Sequence, residues 1–293
     1  MVGQRMRDTP LSIQDRDAAT PGAPVDGPDA PGTAGAIGAP RIGIFIVAYN
    51  AESTLVEVIE RIPDDVVARV EEIYVFDDFS TDRTYEIGLR HRQGAAAAKL
   101  VMHRNERNLM YGGNQKAGYR YALERGFDFV ILLHGDGQYA PEVMDRLLAP
   151  LERGEADMVM GSRMMEPGAL QGHMPLYKYV GNKILTFTQN LLLRQRLSEY
   201  HSGYRAYSCR ALREIDLERL TDNWHFDTQI ILEFIARGFR IREVPIPTYY
   251  GDEICRVNGI AYAFNCLMAT ARFAAVRRVG SRHELPAAPR SSE

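Results

Sequence analysis

The chain lacks several features that would place it in a familiar class. It has only three cysteines in 293 residues, Cys209, Cys255 and Cys266, scattered and without metal-ligand spacing. That excludes a disulfide framework and a cysteine zinc site, and fits the reduced thiols of a cytoplasmic protein. There is no uninterrupted run of about eighteen apolar residues, so no transmembrane helix is expected. There is no excess of positive charge. A net charge of -3 and a pI near 6.2 leave no global basic field for nucleic acid. Large apolar residues are nearly missing from positions 1–40, which are rich in Pro, Gly, Ala and Asp. Such a segment cannot bury enough surface to offset its ordering entropy, and a disordered tail is expected. It has no apolar h-region either, so it does not read as a secretory signal.

What is present is an alternation of short apolar runs and helical periodicities. Strands are expected at 42–47, 72–76, 99–102, 129–133 and 156–160. Helices are expected between them at 54–61, 81–92, 113–125 and 141–153. The β-α-β alternation predicts an α/β fold, a doubly wound and mostly parallel sheet flanked by helices. The pattern changes after Gly161. A helix over 178–194, an irregular Gly/Tyr/Arg segment, a helix over 228–237 and a strand over 240–245 follow. The domain is therefore drawn over 41–250. A polar loop and an amphipathic C-terminal helix occupy 251–280, and a disordered tail 281–293.

The most informative stretch is His134-Gly-Asp136-Gly-Gln138, directly after the apolar run 129–133. Ligands of doubly wound sheets bind at the carboxyl ends of the strands. A short Asp flanked by glycines at such an end can reach a hard divalent cation, or it can simply cap the turn before the next helix. Two more strand ends carry chemistry. Val47-Ala48-Tyr49-Asn-Ala-Glu52 leaves the first, and Phe76-Asp77-Asp78-Phe-Ser80-Thr-Asp82 leaves the second. Asp82 reads as a helix cap. Adjacent carboxylates at a buried strand end, Asp77 and Asp78, point instead to a base edge or a ribose hydroxyl. Gly112-Gly113-Asn114 opens a helix, where glycines permit close backbone approach and free amides attract anions. Arg163, after the fifth strand, can clamp a phosphate or pair with a carboxylate. Ser202-Gly-Tyr-Arg205 mixes hydroxyls, Gly and a guanidinium in a segment that suits phosphate binding. Asp227 is an N-cap or a general base at a helix start. The loop 249–253 with Arg256 reads as a lid.

Taken in order, these motifs resemble the inverting family 2 glycosyltransferases of GT-A fold, in the dolichyl- or polyprenyl-phosphate mannose or glucose synthase branch. The resemblance spans about 41–250. It implies that Ala48, Tyr49, Glu52 and Asp78 hold the nucleoside, with Asp77, Gly112, Gly113 and Asn114 around the nucleotide sugar. It implies that Asp136 and Gln138 bind Mg²⁺ or Mn²⁺ on the diphosphate, and that Arg163, Ser202 and Arg205 face phosphates. One position departs from the family: His134 stands where an Asp is usual. His is a softer ligand, so either it joins the metal set or Asp136 acts with Gln138.

The resemblance implies a GDP- or UDP-linked sugar donor, transfer to a lipid phosphate, and Asp136, Asp227 and Arg205 at the reacting centre. A glycan or other hydroxyl acceptor is the alternative and would need Asp227 as base. A nucleotidyltransferase lacks support, since no Gly-rich basic signature follows the first strand. A non-catalytic nucleotide-sugar-binding protein is the remaining class. In the last helix, Ile260, Phe264, Leu267, Met268, Ala271 and Phe273 with Arg277-Arg278 either lie on the inner face of a membrane or pack on the domain or in a dimer interface, their apolar length too short to span.

Overall fold

A computed structural model describes residues 38–91, 93–165, 168–247 and 258–278. The expected tails, apart from 38–40, the lid loop at 249–253 with Arg256, and Cys255 lie outside the described residues. The elements run β1 (Ile42–Ala48), α1 (Leu55–Glu60), α2 (Asp64–Arg69), β2 (Glu72–Asp77), α3 (Thr84–Arg90), α4 (Gly94–Ala97), β3 (Leu100–Arg104), α5 (Met110–Arg125), β4 (Phe129–His134), α6 (Met144–Glu152), β5 (Met158–Ser162), α7 (Gly168–Gln171), α8 (Leu176–Leu193), β6 (Arg205–Ser208), α9 (Cys209–Leu212), α10 (Phe226–Arg237), β7 (Ile241–Pro245) and α11 (Gly259–Arg278).

Seven strands form one sheet in the order β3-β2-β1-β4-β6-β5-β7. All neighbours are parallel except β6, which runs antiparallel to both β4 and β5. The mostly parallel sheet flanked by helices is therefore as the alternation predicted. The inserted strand is not. The segment read as a phosphate loop contains β6, whose four residues Arg-Ala-Tyr-Ser are buried. Four residues give too little alternation to register as a strand, and an Arg inside a strand hides the apolar pattern.

Strand side chains alternate between two cores. Ile42, Ile44, Ile46, Ile73, Val75, Ile131, Leu133 and Val159 face one side, with α1, α2 and α6. Phe45, Tyr74, Val130, Leu132, Met158 and Met160 face the other, with α5 and α10. Phe45 stacks on Tyr74 with centroids 5.2 Å apart and meets Tyr119 edge-on at 5.7 Å. Gly118 of α5 makes room for that cluster, because a Cβ there would lie 2.0 Å from the Phe45 ring. Gly126 and Gly238 end α5 and α10 at φ 71° and 70°, the left-handed conformation that glycine tolerates.

The last helix decides one expectation and corrects another. Phe273, one of the residues read as either membrane-facing or packed, is buried against α10 and its neighbours, the packed alternative. And Gly259–Arg277 is long and apolar enough to cross a membrane by length and composition alone, which corrects the expectation that it is too short. Only 22% of that window is buried in the protein, so it is not a core helix.

Candidate active site

The carboxyl ends of β1, β2 and β4 are stitched side by side. Ala48 pairs with Asp77 across β1 and β2. The Asp78 amide donates to the Ala48 carbonyl at 2.8 Å, and the Gly135 amide donates to the Val47 carbonyl at 2.9 Å. The strand-end loops are strained at Asn50 (φ 50°), Phe79 (φ 59°) and Met110 (φ 66°). Left-handed backbone in non-glycine residues persists only where the surroundings over-determine it, and it gathers at functional sites. Tyr49 and Phe79 stand 42% and 46% exposed at this edge, with the Arg104 guanidinium 5.4 Å from the Phe79 ring centroid.

Asp78 is nearly buried, and its Oδ1 accepts from Asn105 Nδ2 at 2.8 Å and the Leu109 amide at 2.7 Å. Burial pushes its pKa upward against those bonds. Asp77 departs from its expected ligand role. It is wholly buried, takes hydrogen bonds from Ser80, and lies 3.5 Å from Arg104 Nε. It braces the β2 turn from beneath. Glu52 is paired with Arg83 across the β1 and β2 loops.

The glycine pair also differs from expectation. Gly112 and Gly113 are buried, and a Cβ on Gly112 would lie 2.4 Å from the Thr221 carbonyl oxygen. The Gly112 amide donates to the Asp222 carbonyl at 2.6 Å, and Lys116 reaches Asp222 at 2.8 Å. The close approach is thus to the protein's own segment 221–226. Asn114 is buried too, donating to the Phe76 carbonyl at 3.0 Å and accepting from Asn105 at 2.9 Å.

That packing positions Asp227 at the start of α10. Its Oδ2 accepts from the Tyr111 hydroxyl at 2.8 Å and its Oδ1 from Gln115 Nε2 at 3.3 Å. Arg205 Nη1 lies 3.3 Å from Oδ1. The expected phosphate contact of Arg205 is not met. Its side chain is 0% exposed, and it donates to the carbonyls of Ser202, Tyr200 and Asp227 at 2.8–3.1 Å. Because β6 is antiparallel, its first residue stands near the carboxyl ends of β4 and β5, and the side chain is held inside by these carbonyls. Ser202, at 1% exposure, is likewise internal. Arg163 pairs with the fully buried Glu199 and donates to the His201 carbonyl at 3.2 Å.

His134 sits between these groups. Its Nδ1 lies 4.0 Å from Asp136 Oδ2, and its Nε2 lies 3.4 Å from the Tyr111 hydroxyl. Burial lowers its pKa despite Asp136, so the imidazole is neutral at neutral pH. Gly203 packs on it, and a Cβ there would come within 2.6 Å of Nε2. Asp136 is 48% exposed, and its Oδ1 accepts the Gln138 amide at 3.1 Å. Among the described residues no three His, Cys, Asp or Glu side chains form a ready cation cage. One open carboxylate beside one neutral imidazole does fit a cation that draws its other ligands from a diphosphate.

Sequence reasoning missed Tyr111, Gln115, Glu199 and Trp224. Trp224 stacks on Tyr111 with centroids 4.6 Å apart. It also lines a cleft of about 270 Å³ with Asn223, His225, Asn258, Ala261, Tyr262 and Asn265. The cleft lies at the α10 and α11 side. The aromatic-rich Trp224-His-Phe-Asp227 string was the available signal.

The sequence profile described as Glycosyl transferase family 2 matches residues 43–216. The chain is 31% identical over 207 residues to the undecaprenyl-phosphate mannosyltransferase of Micrococcus luteus, covering 70% of this chain and 82% of that one. It is 30% identical to the polyprenol monophosphomannose synthase of Mycolicibacterium smegmatis, over 70% and 76%. It is 28% identical to the UDP-N-acetylglucosamine–dolichyl-phosphate N-acetylglucosaminyltransferase of Methanococcus voltae, over 72% and 86%. Among solved structures, glucosyl-3-phosphoglycerate synthase from Mycobacterium tuberculosis, in complex with Mn²⁺, UDP and phosphoglyceric acid, superposes with a TM-score of 0.58. That match has 16% identity and covers 82% of this chain and 79% of the other. It speaks to the fold.

Proposed function

The chain belongs to glycosyl transferase family 2, and from that premise we propose that it moves a sugar from a nucleoside diphosphate sugar to a polyprenyl-type lipid phosphate. The single observation that carries this reading is Asp136, an open carboxylate beside neutral His134 at the sheet edge shared with Asp78. Three relatives are named for transfer to, or synthesis on, dolichyl, undecaprenyl or polyprenol carriers, which supports the acceptor class.

In this reading Tyr49, Phe79 and Asp78 bind the nucleoside, with Ala48 and Glu52 shaping the loop beneath it. Asp136 and His134 hold Mg²⁺ or Mn²⁺, with Gln138 setting Asp136 through its amide. A bound cation there would neutralise charge on the departing diphosphate. A lipid phosphate is already anionic at neutral pH and attacks the anomeric carbon without a base. Asp227 is nearly buried, and its two oxygens accept from Tyr111 and Gln115, so little of the carboxylate is open to a hydroxyl acceptor. Asp227 with Arg205 instead orients Tyr111 at the cleft side.

The test is nucleoside diphosphate release from a panel of GDP- and UDP-sugars with Mg²⁺ or Mn²⁺, with and without polyprenyl phosphate. We expect release that needs both cation and lipid phosphate, and a loss of at least about 10²-fold in Asp136→Asn. Release only with hydroxyl acceptors, abolished by Asp227→Asn, would transfer the function to a soluble glycoside-forming enzyme. Binding of donor with no release under any condition would leave a nucleotide-sugar-binding protein.

A further inference from the structure

Helices α8 and α11 pack on each other, joined inside by a hydrogen bond from Gln189 Nε2 to Thr270 Oγ1 at 3.2 Å. Their outward sides are apolar. On α8, Leu176, Tyr177, Val180, Ile184, Phe187 and Leu191 are 45–74% exposed. Spacings of three and four put them on one stripe about 100° wide. On α11, Ile260, Phe264 and Met268 repeat every fourth residue at 86%, 62% and 37% exposure. Contiguous apolar patches of this kind mark contact surfaces in soluble proteins.

Charge on the same two helices and in the segments flanking α8 has one sign. Residues 168–198 carry Lys178, Lys183, Arg194 and Arg196 and no Asp or Glu. Residues 258–278 carry Arg272, Arg277 and Arg278, again with no acid. The whole chain is at -3, so its acids lie elsewhere.

We infer that the face made by α8 and α11 docks on an anionic lipid bilayer, the two stripes entering the acyl–headgroup boundary and the Lys and Arg side chains lying among lipid phosphates. A second copy of the chain is a worse occupant. A twofold interface sets the face against itself, cation against cation, with no acid to pair. The face also continues into the cleft. The first turns of α11 present Ile260 and Phe264 outward, while Ala261, Tyr262 and Asn265 line the cleft opposite Trp224 and His225. An amphiphile can leave its chain in the bilayer and put its head group beside the start of α10. The inference borrows its purpose from the lipid-phosphate reading, but the stripes and the charge stand without it.

The experiment is flotation of the full chain, without donor, on vesicles of phosphatidylcholine alone or of equal parts phosphatidylcholine and phosphatidylglycerol. Binding about tenfold greater on the anionic vesicles, falling as salt is raised, is expected. The double variant Ile184→Asp, Phe187→Asp changes two exposed side chains. It should keep its circular dichroism spectrum and its nucleoside diphosphate release with detergent-dispersed polyprenyl phosphate, yet lose vesicle binding. Equal binding to both vesicle types, undiminished binding by the variant, or a wild-type dimer that the variant abolishes without any vesicle binding would overturn the inference. Vesicle binding without glycosyl transfer would sink the functional reading and leave the docking face in place.

Discussion

At the residue scale, Asp227 of the candidate site is held by Tyr111, Gln115 and Arg205. Removing the Tyr111 hydroxyl leaves a nearly buried carboxylate short of one charge-assisted bond. We expect Tyr111→Phe to lower kcat by about tenfold to a hundredfold with donor KM little changed, as a hydrogen bond to a charged group contributes about 1.5–3 kcal/mol. Steady-state kinetics beside a thermal melt separates that from misfolding. His201 offers a pH signature. It is buried against Arg163 and Tyr262, and burial pushes its pKa down to about 4 from 6.5. The unfolded chain therefore takes up the proton first as pH falls. Stability is full above about 6.5 and is lost as pH drops toward 4, by about 3 kcal/mol from this one group. Urea denaturation at several pH values should show that loss in the wild type and a flatter profile in His201→Gln. Equal profiles would remove His201 as the cause.

At the element scale, glycines decide how helices approach the sheet and the site. Gly118 lets α5 lie on the Phe45 ring. Gly118→Ala should cost about 1–3 kcal/mol by overpacking, read as a lower denaturant midpoint with an unchanged slope. The pair Gly112-Gly113 was legible as a close approach, but not what it approaches. A sequence shows that a Cβ is missing, while the identity of the neighbour, here the segment 221–226, depends on a contact more than a hundred residues away. The strand-and-helix alternation was legible because period-2 and period-3.6 patterns are local. Strand β6 was not, because its four buried residues owe their state to neighbours β4 and β5.

At the scale of the whole molecule, Arg205 links the parts. It ties β6, the turn 200–202 and the start of α10 through Tyr200, Ser202 and Asp227. Arg205→Ala would strand Asp227 without its cation. We expect a loss of about 3–5 kcal/mol, and no full rescue by Lys, whose single ammonium cannot serve three carbonyls in that fork. Thermal or urea unfolding checks it, and a stability equal to wild type would refute the role.

The sequence by itself determined the family and the mostly parallel sheet, and it placed Asp78 and Asp136 after strands and Asp227 at a helix start. Those follow from local periodicity and from short motifs whose chemistry is readable in order. Only the tertiary structure decided which charged groups turn into the protein and which stay open to solvent. Arg205 and Asp77 turn inward because an antiparallel strand and a buried turn give them partners there. His134 acquires its neutral state from burial, and the apolar stripes of α8 and α11 become visible only once the inner faces of those helices are filled. Burial is a property of distant contacts, and no run of adjacent residues encodes it.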